Sequence, residues 1–305
     1  MSSSADNNTA AGNLPAGIQR RAAPKILAFG GGTGMAALLR GLKAYTDQIT
    51  AVVTVTDNGG SSGRLRNDFD MGAPGDIRNC LLALADVDPL IAKAFDYRFD
   101  ESEFKGHCFG NLFITVLNRL LGDFGVSIRE LNRILNVRGR VIPASSAKVS
   151  LVAQHPDGSK STGEVQIARS SKKIQTVEIR PYPVTMSQEI RSAVNEADLF
   201  IFGPGSLYTS VIPNLLIDGL MEQQKLRLRF TGGGSGGPTT PLLGLAETLK
   251  DHEEYSMEFL FLGTSRGPER RMVEEFGMPY QALSLIHISE PTRRTPISYA
   301  VFCLK

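Results

Sequence analysis

ILAFGGGTG (Ile26–Gly34) is the stretch on which the fold is read. Four apolar residues run without a polar break into a glycine cluster interrupted only by Thr33. A short apolar run bounded by glycine reads as a strand buried on both faces. Beyond it, Met35, Leu38, Leu39 and Leu42 recur at helical spacing, so the order is strand, glycine turn, helix. Glycines let backbone N–H groups come close to a ligand, and the following helix offers a phosphate its positive amino end. The run misses the strict G-x-G-x-x-G pattern because Met35 takes the last place, and it lacks the lysine of a P-loop.

The same unit recurs along the chain. A strand at Ile49–Val55 leads into Asp57-Asn58-Gly59-Gly60-Ser61-Ser62-Gly63-Arg64, rich in anion-friendly positions. Asp57 stands where a dinucleotide fold places its ribose-binding acid, which keeps a nicotinamide enzyme open. A third buried strand, LFIF (Leu199–Phe202), precedes Gly203-Pro204-Gly205-Ser206-Leu207-Tyr208-Thr209-Ser210. Its hydroxyls suit a phosphate or ribose, and Tyr208 can stack. Gly75–Asn79 opens a helix, with Asp76 expected at its N-cap and Arg78 as a phosphate or structural partner. Gly106–Asn111 opens another; its His107 stands alone, a pattern more often structural than catalytic. Arg138 and Arg140 either answer anionic oxygens or lie on a solvated edge.

Between Val141 and Arg180 short β-branched runs (Lys148–Ala153, Glu164–Ala168, Thr176–Ile179) surround Pro156-Asp157-Gly158 and predict a small antiparallel insert. Thr185 with Gln188 predicts a capping box for the next helix. Strands alternating with helices predict an α/β fold: a Rossmann-like, mostly parallel sheet with helices on both faces and a ligand beyond the carboxyl ends of its strands.

The 305 residues, 42% hydrophobic and 21% charged, can bury a large core without staples. No run of apolar residues is long enough to span a membrane. Residues 1–24 are rich in Ser, Ala and Asn, lack an apolar segment and read as a disordered leader. Three cysteines, none in a C-x-x-C pair, argue against a disulfide framework and fit a reducing cytoplasm. A formal charge of +2 gives no reason to expect nucleic acid. No Ser–His–Asp order, paired-carboxylate spacing or HExxH stands out. The residues describe a phosphorylated-ligand site.

A second strand–glycine–helix unit begins at LRLRF (Leu226–Phe230), followed by glycines through Gly237, helical spacing over Leu242, Leu245, Ala246 and Leu249, and a strand at Phe259–Leu262. This is a truncated second α/β unit. Arg227 and Arg229 alternate with leucine, unusual for a doubly buried strand.

GGGTG, VTVTDNGGSSGRLR, PGDIRNCLLAL, YRF, GHCFGNLF, VRGRVIPAS and GPGSLYTSVIPNLL occur in this order between Lys25 and Leu220. Together they resemble the YvcK-like, or gluconeogenesis factor, family, related to the CofD 2-phospho-L-lactate transferases. The resemblance implies a cytoplasmic protein that binds a nucleotide sugar, UDP-N-acetylglucosamine, and regulates carbon metabolism and cell shape, with a homo-oligomer left open. It places the nucleotide near Gly31, Gly32, Thr33 and Gly34, near Asp57, Asn58, Gly60, Ser61 and Ser62, near Asn79, and near Gly203, Gly205, Ser206 and Tyr208. The CofD alternative is a transferase using a nucleotide and Mg²⁺, with Asp57 as the metal-associated carboxylate, although no aromatic cluster for a flavin-like acceptor is evident.

From Met221 the chain resembles the start of a MurG-like glycosyltransferase, with Pro238 where that family commonly has His. From Leu283 it resembles a translated sequencing adaptor, expected to contribute nothing to folding or binding. That tail carries Arg293, Arg294 and Lys305 against Glu290, so the rest of the chain holds 30 basic and 30 acidic residues. The expected organisation is a leader over 1–24, the main domain over 25–220 with its insert at about 141–181, the MurG-like fragment over 221–282, and the tail over 283–305.

Overall fold

The computed structural model describes residues 23–220, 227–231, 258–264, 269–283 and 300–304. Residues 1–22 of the expected leader lie outside these, as do most of the residues after Leu220.

The apolar run of the first unit forms β1 (Ile26–Gly30), buried along its whole length. It pairs in parallel with β2 (Ile49–Val53) on one side and β7 (Leu199–Phe202) on the other, and β3 (Arg140–Pro143) continues beyond β2 in parallel. With β8 (Arg227–Thr231), β9 (Glu258–Thr264), β10 (Tyr280–Leu283) and β11 (Ala300–Leu304), the full order is β10-β9-β8-β11-β7-β1-β2-β3. The expected mostly parallel α/β sheet with a small antiparallel companion is what forms.

Burial on both faces explains why β1, β2 and β7 read as unbroken apolar runs. On one face, Ala28, Ala51 and Val53 pack against Met35 and Leu39 of α1 (Gly32–Leu42), Ile77 and Leu81 of α3 (Pro74–Leu84), Ile114 of α5 (Phe109–Leu121) and Ile128 of α6 (Phe124–Ile134). On the other, Leu27, Phe29 and Phe202 meet Ile190 and Val194 of α8 (Gln188–Glu196). Phe29 stacks on Phe202 with ring centroids 4.8 Å apart. Helix ends follow local chemistry. Gly122 closes α5 in the left-handed region, and the next residue, Asp123, caps α6 by accepting from the Val126 amide at 2.7 Å.

The insert is a sheet of order β5-β4-β6, made of β4 (Ser150–Gln154), β5 (Lys160–Thr162) and β6 (Thr176–Arg180). One predicted strand is corrected. Glu164–Arg169 is a helix, α7, buried through Ile167 alone, while β5 lies just before it. Gly163 turns the chain at φ +89°, and Glu164 in the first turn suits the helix dipole, which outweighs the β-branched texture of the run. Two caps are also corrected. Ser187, not Thr185, caps α8, accepting from the Ile190 amide at 3.2 Å. Ala73 stands at the N-cap of α3, and Asp76 sits inside its first turn.

Past β7 the sheet continues into residues beyond Leu220, and it takes in a five-residue stretch of the tail that the sequence led us to expect would contribute nothing to folding. Ala300–Leu304 (β11) lies antiparallel between β7 and β8 (Arg227–Thr231), and β9 (Glu258–Thr264) and β10 (Tyr280–Leu283) follow in parallel. An unpaired β7 would present open backbone groups, and β11 supplies their partners. Val273 in α10 (Glu269–Glu275) and Met278 join the β7-side core.

The start of β3 depends on one residue. Gly139 holds φ +90°, and a Cβ there would lie 2.2 Å from the Ile49 carbonyl oxygen. Gly139→Ala therefore adds left-handed strain to a backbone clash. We expect a loss of about 2 kcal/mol or more and a fall in Tm of roughly 5 °C, measured by calorimetry.

Candidate functional site

The chain passes from β1 to β2 and β3 on one side and returns to β7 on the other, so the order reverses between β1 and β7. Open α/β sheets hold ligands at such a point, outside the carboxyl ends of the strands. Three loops meet there at backbone distance. A Cβ on Gly31 would stand 2.4 Å from the Thr54 hydroxyl and 2.7 Å from the Asp76 carboxylate. One on Gly75 would stand 2.3 Å from the Ser62 hydroxyl, and one on Gly205 2.7 Å from Cβ of Ser210. The glycines are thus first a packing requirement.

Two positions differ. Gly32 (φ +72°) and Gly60 (φ +49°) face open space, with nothing within 4 Å of a built Cβ. They begin α1 and α2 (Gly60–Asp68), whose N-caps Gly31 and Gly59 offer no side-chain oxygen and whose first turns hold no acid. Carboxylates from neighbouring segments reach both ends: Asp76 accepts from the Gly32 amide, and Asp57 Oδ1 accepts from the Gly59 amide at 2.8 Å, which leaves the other first-turn amides of the two helices facing the cleft.

The predicted site residues divide into two groups. Thr33, Gly60, Ser206 and Tyr208 are exposed, and Gly32, Gly34, Asp57, Asn79 and Gly205 are half-buried. Others face inward. Asn58 Oδ1 accepts from the Val165 amide at 2.9 Å, tying the β2 loop to the insert. Ser61 is buried; its Oγ lies 3.2 Å from His107 Nδ1 and accepts from Asn111 Nδ2 at 3.2 Å. Ser62 is buried over Gly75. Gly203 lies buried in the turn after β7 at φ +92°. Asn79 Oδ1 accepts from Arg78 Nη2 at 2.7 Å, and Arg78 Nη1 donates to Asn111 at 3.1 Å. Arg78 and His107 thus hold loops together. Arg138 pairs with Asp86 at 3.2 Å, and Arg140 Nε donates to Thr50 at 2.9 Å, both at the amino end of the sheet, away from the cleft.

Two acidic groups join Asp57. Asp76 is pushed up to about 6, chiefly by burial and then by Asp57, while the facing Gly32 amide and Arg78 pull it down. Glu164 of the insert is pushed up to about 8 by burial, Asp76 and Asp57, against the hydroxyls of Thr209 and Thr56. That contact is loose: Glu164 Oε2 and Thr56 Oγ1 are buried without a well-formed hydrogen bond. Beneath them Arg66 is buried; it donates to the Thr56 carbonyl at 3.0 Å, the Val149 carbonyl and the Ser150 hydroxyl at 2.8 Å. Burial lowers its basicity, and Asp57 and Glu164 oppose that. Among the described residues no three His, Cys, Asp or Glu side chains converge to hold a metal by themselves.

Residues 26–226 match the family model described as 2-phospho-L-lactate transferase CofD. The chain belongs to the CofD family. Within it, the chain is 47% identical over 201 residues to the gluconeogenesis factor of Bacillus subtilis, covering 66% of this chain and 63% of that protein. It is 41% identical over 261 residues to a putative gluconeogenesis factor of Thermotoga maritima, covering 83% of this chain and 82% of that one. A crystal structure of a UPF0052-family protein from Bacillus halodurans superposes with a TM-score of 0.74 at 35% identity, over 85% of this chain and 92% of that one. The chain spans about three fifths of the length of the first curated relatives it matches. The Thermotoga match takes in more of the chain than the residues up to Leu220 could supply, so it runs past Leu220.

The site of this CofD-family chain makes stability depend on pH. Glu164 and Asp76 bind protons more tightly when folded, so each destabilises the fold as pH rises from its ordinary range toward about 8 and about 6 respectively. His107, its basicity lowered by burial and Arg64, acts in the opposite sense below its ordinary range. We expect Glu164→Gln to raise Tm relative to the unmodified chain at pH 8 and to lose that advantage near pH 5. Paired thermal melts across this range check it.

Proposed function

We propose that the chain is a gluconeogenesis-factor-type regulator that binds a nucleotide sugar, UDP-N-acetylglucosamine, in the cleft between the β1, β2 and β7 loops. The observation that carries this reading is the pair of helix amino ends, α1 and α2, that open onto the cleft at Gly32 and Gly60 without a side-chain cap from Gly31 or Gly59. The first-turn amides beyond those that Asp76 and Asp57 engage suit the two phosphates of a nucleoside diphosphate. Asp57 and Asp76, as carboxylates, accept from ribose or sugar hydroxyls. Tyr208, exposed at the rim, offers a ring for the base. Relatives named gluconeogenesis factors, at 41% and 47% identity, support the same reading.

A second reading, a CofD-like 2-phospho-L-lactate transferase, is favoured by one feature: Asp57 raises the proton affinity of Asp76, a repulsion that a cation would relieve. Mg²⁺ usually keeps several waters and takes one or two carboxylates together with substrate phosphates, so this donor pair fits it. Asp57 and Asp76 would hold the ion, which would neutralise charge on a transferring phosphoryl group.

The cradle is tested by Gly32→Val, which places a branched side chain at positive φ in the space left for phosphate. UDP-N-acetylglucosamine affinity by calorimetry should fall by about tenfold or more, with far-UV circular dichroism unchanged. Undiminished affinity would move the phosphates elsewhere. Thermal melts separate the two readings: stabilisation by UDP-N-acetylglucosamine supports the first, and stabilisation by GTP with Mg²⁺ alone, lost in Asp57→Asn, supports the second.

A further inference from the structure

Beside the cleft, α4 (Pro89–Asp96) leads into a hairpin over 97–108. Phe99 N donates to the His107 carbonyl at 2.9 Å and Gly106 N to the Phe99 carbonyl at 2.7 Å, which closes it. Two arginines converge on its returning arm. Arg64 of α2 donates from Nη2 to the Lys105 carbonyl at 3.0 Å. Arg98, on the outgoing arm, donates from Nη1 to the Gly106 carbonyl at 2.7 Å. These carbonyls belong to successive residues. Gly106 (φ +80°) makes the approach possible, since a Cβ there would stand 3.1 Å from Arg64 Nη2. Each guanidinium spends one donor on its anchor and keeps the rest; among the described residues neither makes a further hydrogen bond.

No carboxylate of the chain accounts for this pairing of like charges. Arg64 and Arg98 are exposed, as is Lys105 beside them, and no ion pair among the described residues includes any of the three. Asp68, Asp100, Glu101 and Glu103 lie on the same segments without closing on them, and Asp96 is engaged by Arg78 at 3.4 Å. His107, half-buried, feels the excess: burial and Arg64 lower its basicity, Asp68 opposes them, and Arg98 adds to the lowering. Two guanidiniums fixed side by side repel each other until an anion lies between them. Arg64 follows Gly60 by four residues, so the two share a face of α2, and helical side chains lean toward the amino end. The pair therefore stands one turn from the α2 amino end, whose dipole also favours an anion. One guanidinium fork matches a carboxylate. Two forks match the three terminal oxygens, and the charge of about −2, of a phosphate monoester.

We infer that Arg64 and Arg98 clamp the phosphate group of a small ligand, at a second anion site beside the cleft. Their anchored forks hold the phosphate oxygens, and Lys105 adds charge from the rim. The inference does not rest on the nucleotide-sugar reading, because it uses neither the α1 cradle nor Asp57.

Calorimetric titration of the full chain with inorganic phosphate, and separately with glycerol 3-phosphate, tests it. Arg64→Gln and Arg98→Gln should each weaken binding by about tenfold, and the double variant should abolish it. Arg64→Lys and Arg98→Lys keep the charge without the fork and should recover only part of the loss. Arg119→Gln, at the far end of α5, should leave affinity unchanged. Gly32→Val should also leave phosphate on the clamp, so its effect on UDP-N-acetylglucosamine alone separates failure of the earlier reading from failure of this one. Both arginines brace the hairpin, so nuclear magnetic resonance of the unmodified chain supplies a measurement free of substitution: phosphate should shift the side-chain Nε–H signals of Arg64 and Arg98. Tighter binding of glycerol 3-phosphate assigns a phosphate ester, and tighter binding of inorganic phosphate assigns the free ion. Undiminished affinity in both glutamine variants overturns the inference, as do unshifted arginine signals at saturating phosphate. Acetate binding as tightly as phosphate overturns the ligand class.

Discussion

Everything at the cleft depends on β1 being packed without a gap between two parallel neighbours. With β2 and β7 in register on either side and helices above and below, the carboxyl ends of three strands leave the sheet along one short edge. Their loops must then pass each other at less than the width of a side chain. The lack of Cβ at Gly31, Gly75 and Gly205 is what permits it, because a methyl group at any of them would overlap Thr54, Ser62 or Ser210. Glycine is used twice in this fold. Some glycines let the protein touch itself, and in the loops at the cleft Gly32 and Gly60 leave room for something else.

The second feature of the site is its crowded negative charge. Asp57, Asp76 and Glu164 share a half-buried space with two buried cations: Arg66, occupied largely by backbone carbonyls and the Ser150 hydroxyl, and Arg78, which donates to Asn79 and Asn111. Carboxyl groups so placed resist ionising together, and two of them hold protons to higher pH than usual. A ligand that brings hydroxyl donors or a cation would settle this repulsion. Phosphate oxygens are better served by the remaining first-turn amides of α1 and α2.

Much of this was legible in the sequence, and the reasons for the remainder are physical. β1, β2, β7 and their glycine loops declare themselves because doubly buried strands must be continuously apolar and their turns must be small. The ordered motifs of the first 220 residues likewise lead to the family. The direction a polar side chain faces has no such signature. Ser61, Ser62 and Asn58 sit in a loop whose composition invites a ligand, yet they spend their hydrogen-bonding capacity on His107, Asn111 and the insert. Glu164 gives no signal of this role because it reaches Asp57, 107 residues earlier, and Asp76, 88 residues earlier, only through folding of the insert, and because a β-branched run disguises its helix. Ala300–Leu304 joined the sheet for a reason no local pattern shows: β7 had an open edge.

The insert separates the fold's register from the make-up of the cleft wall. It begins and ends outside the main sheet, yet it supplies Glu164 as one wall of the cleft and is bolted to the β2 loop through Arg66 and Asn58. Substitutions between Ser150 and Arg180 can alter the polarity and shape of that wall while the register of β1, β2 and β7 stays untouched. Relatives that keep the same strands and glycines can therefore diverge in what they admit. The sheet preserves the lineage, and the excursion beside it is where selectivity is free to drift.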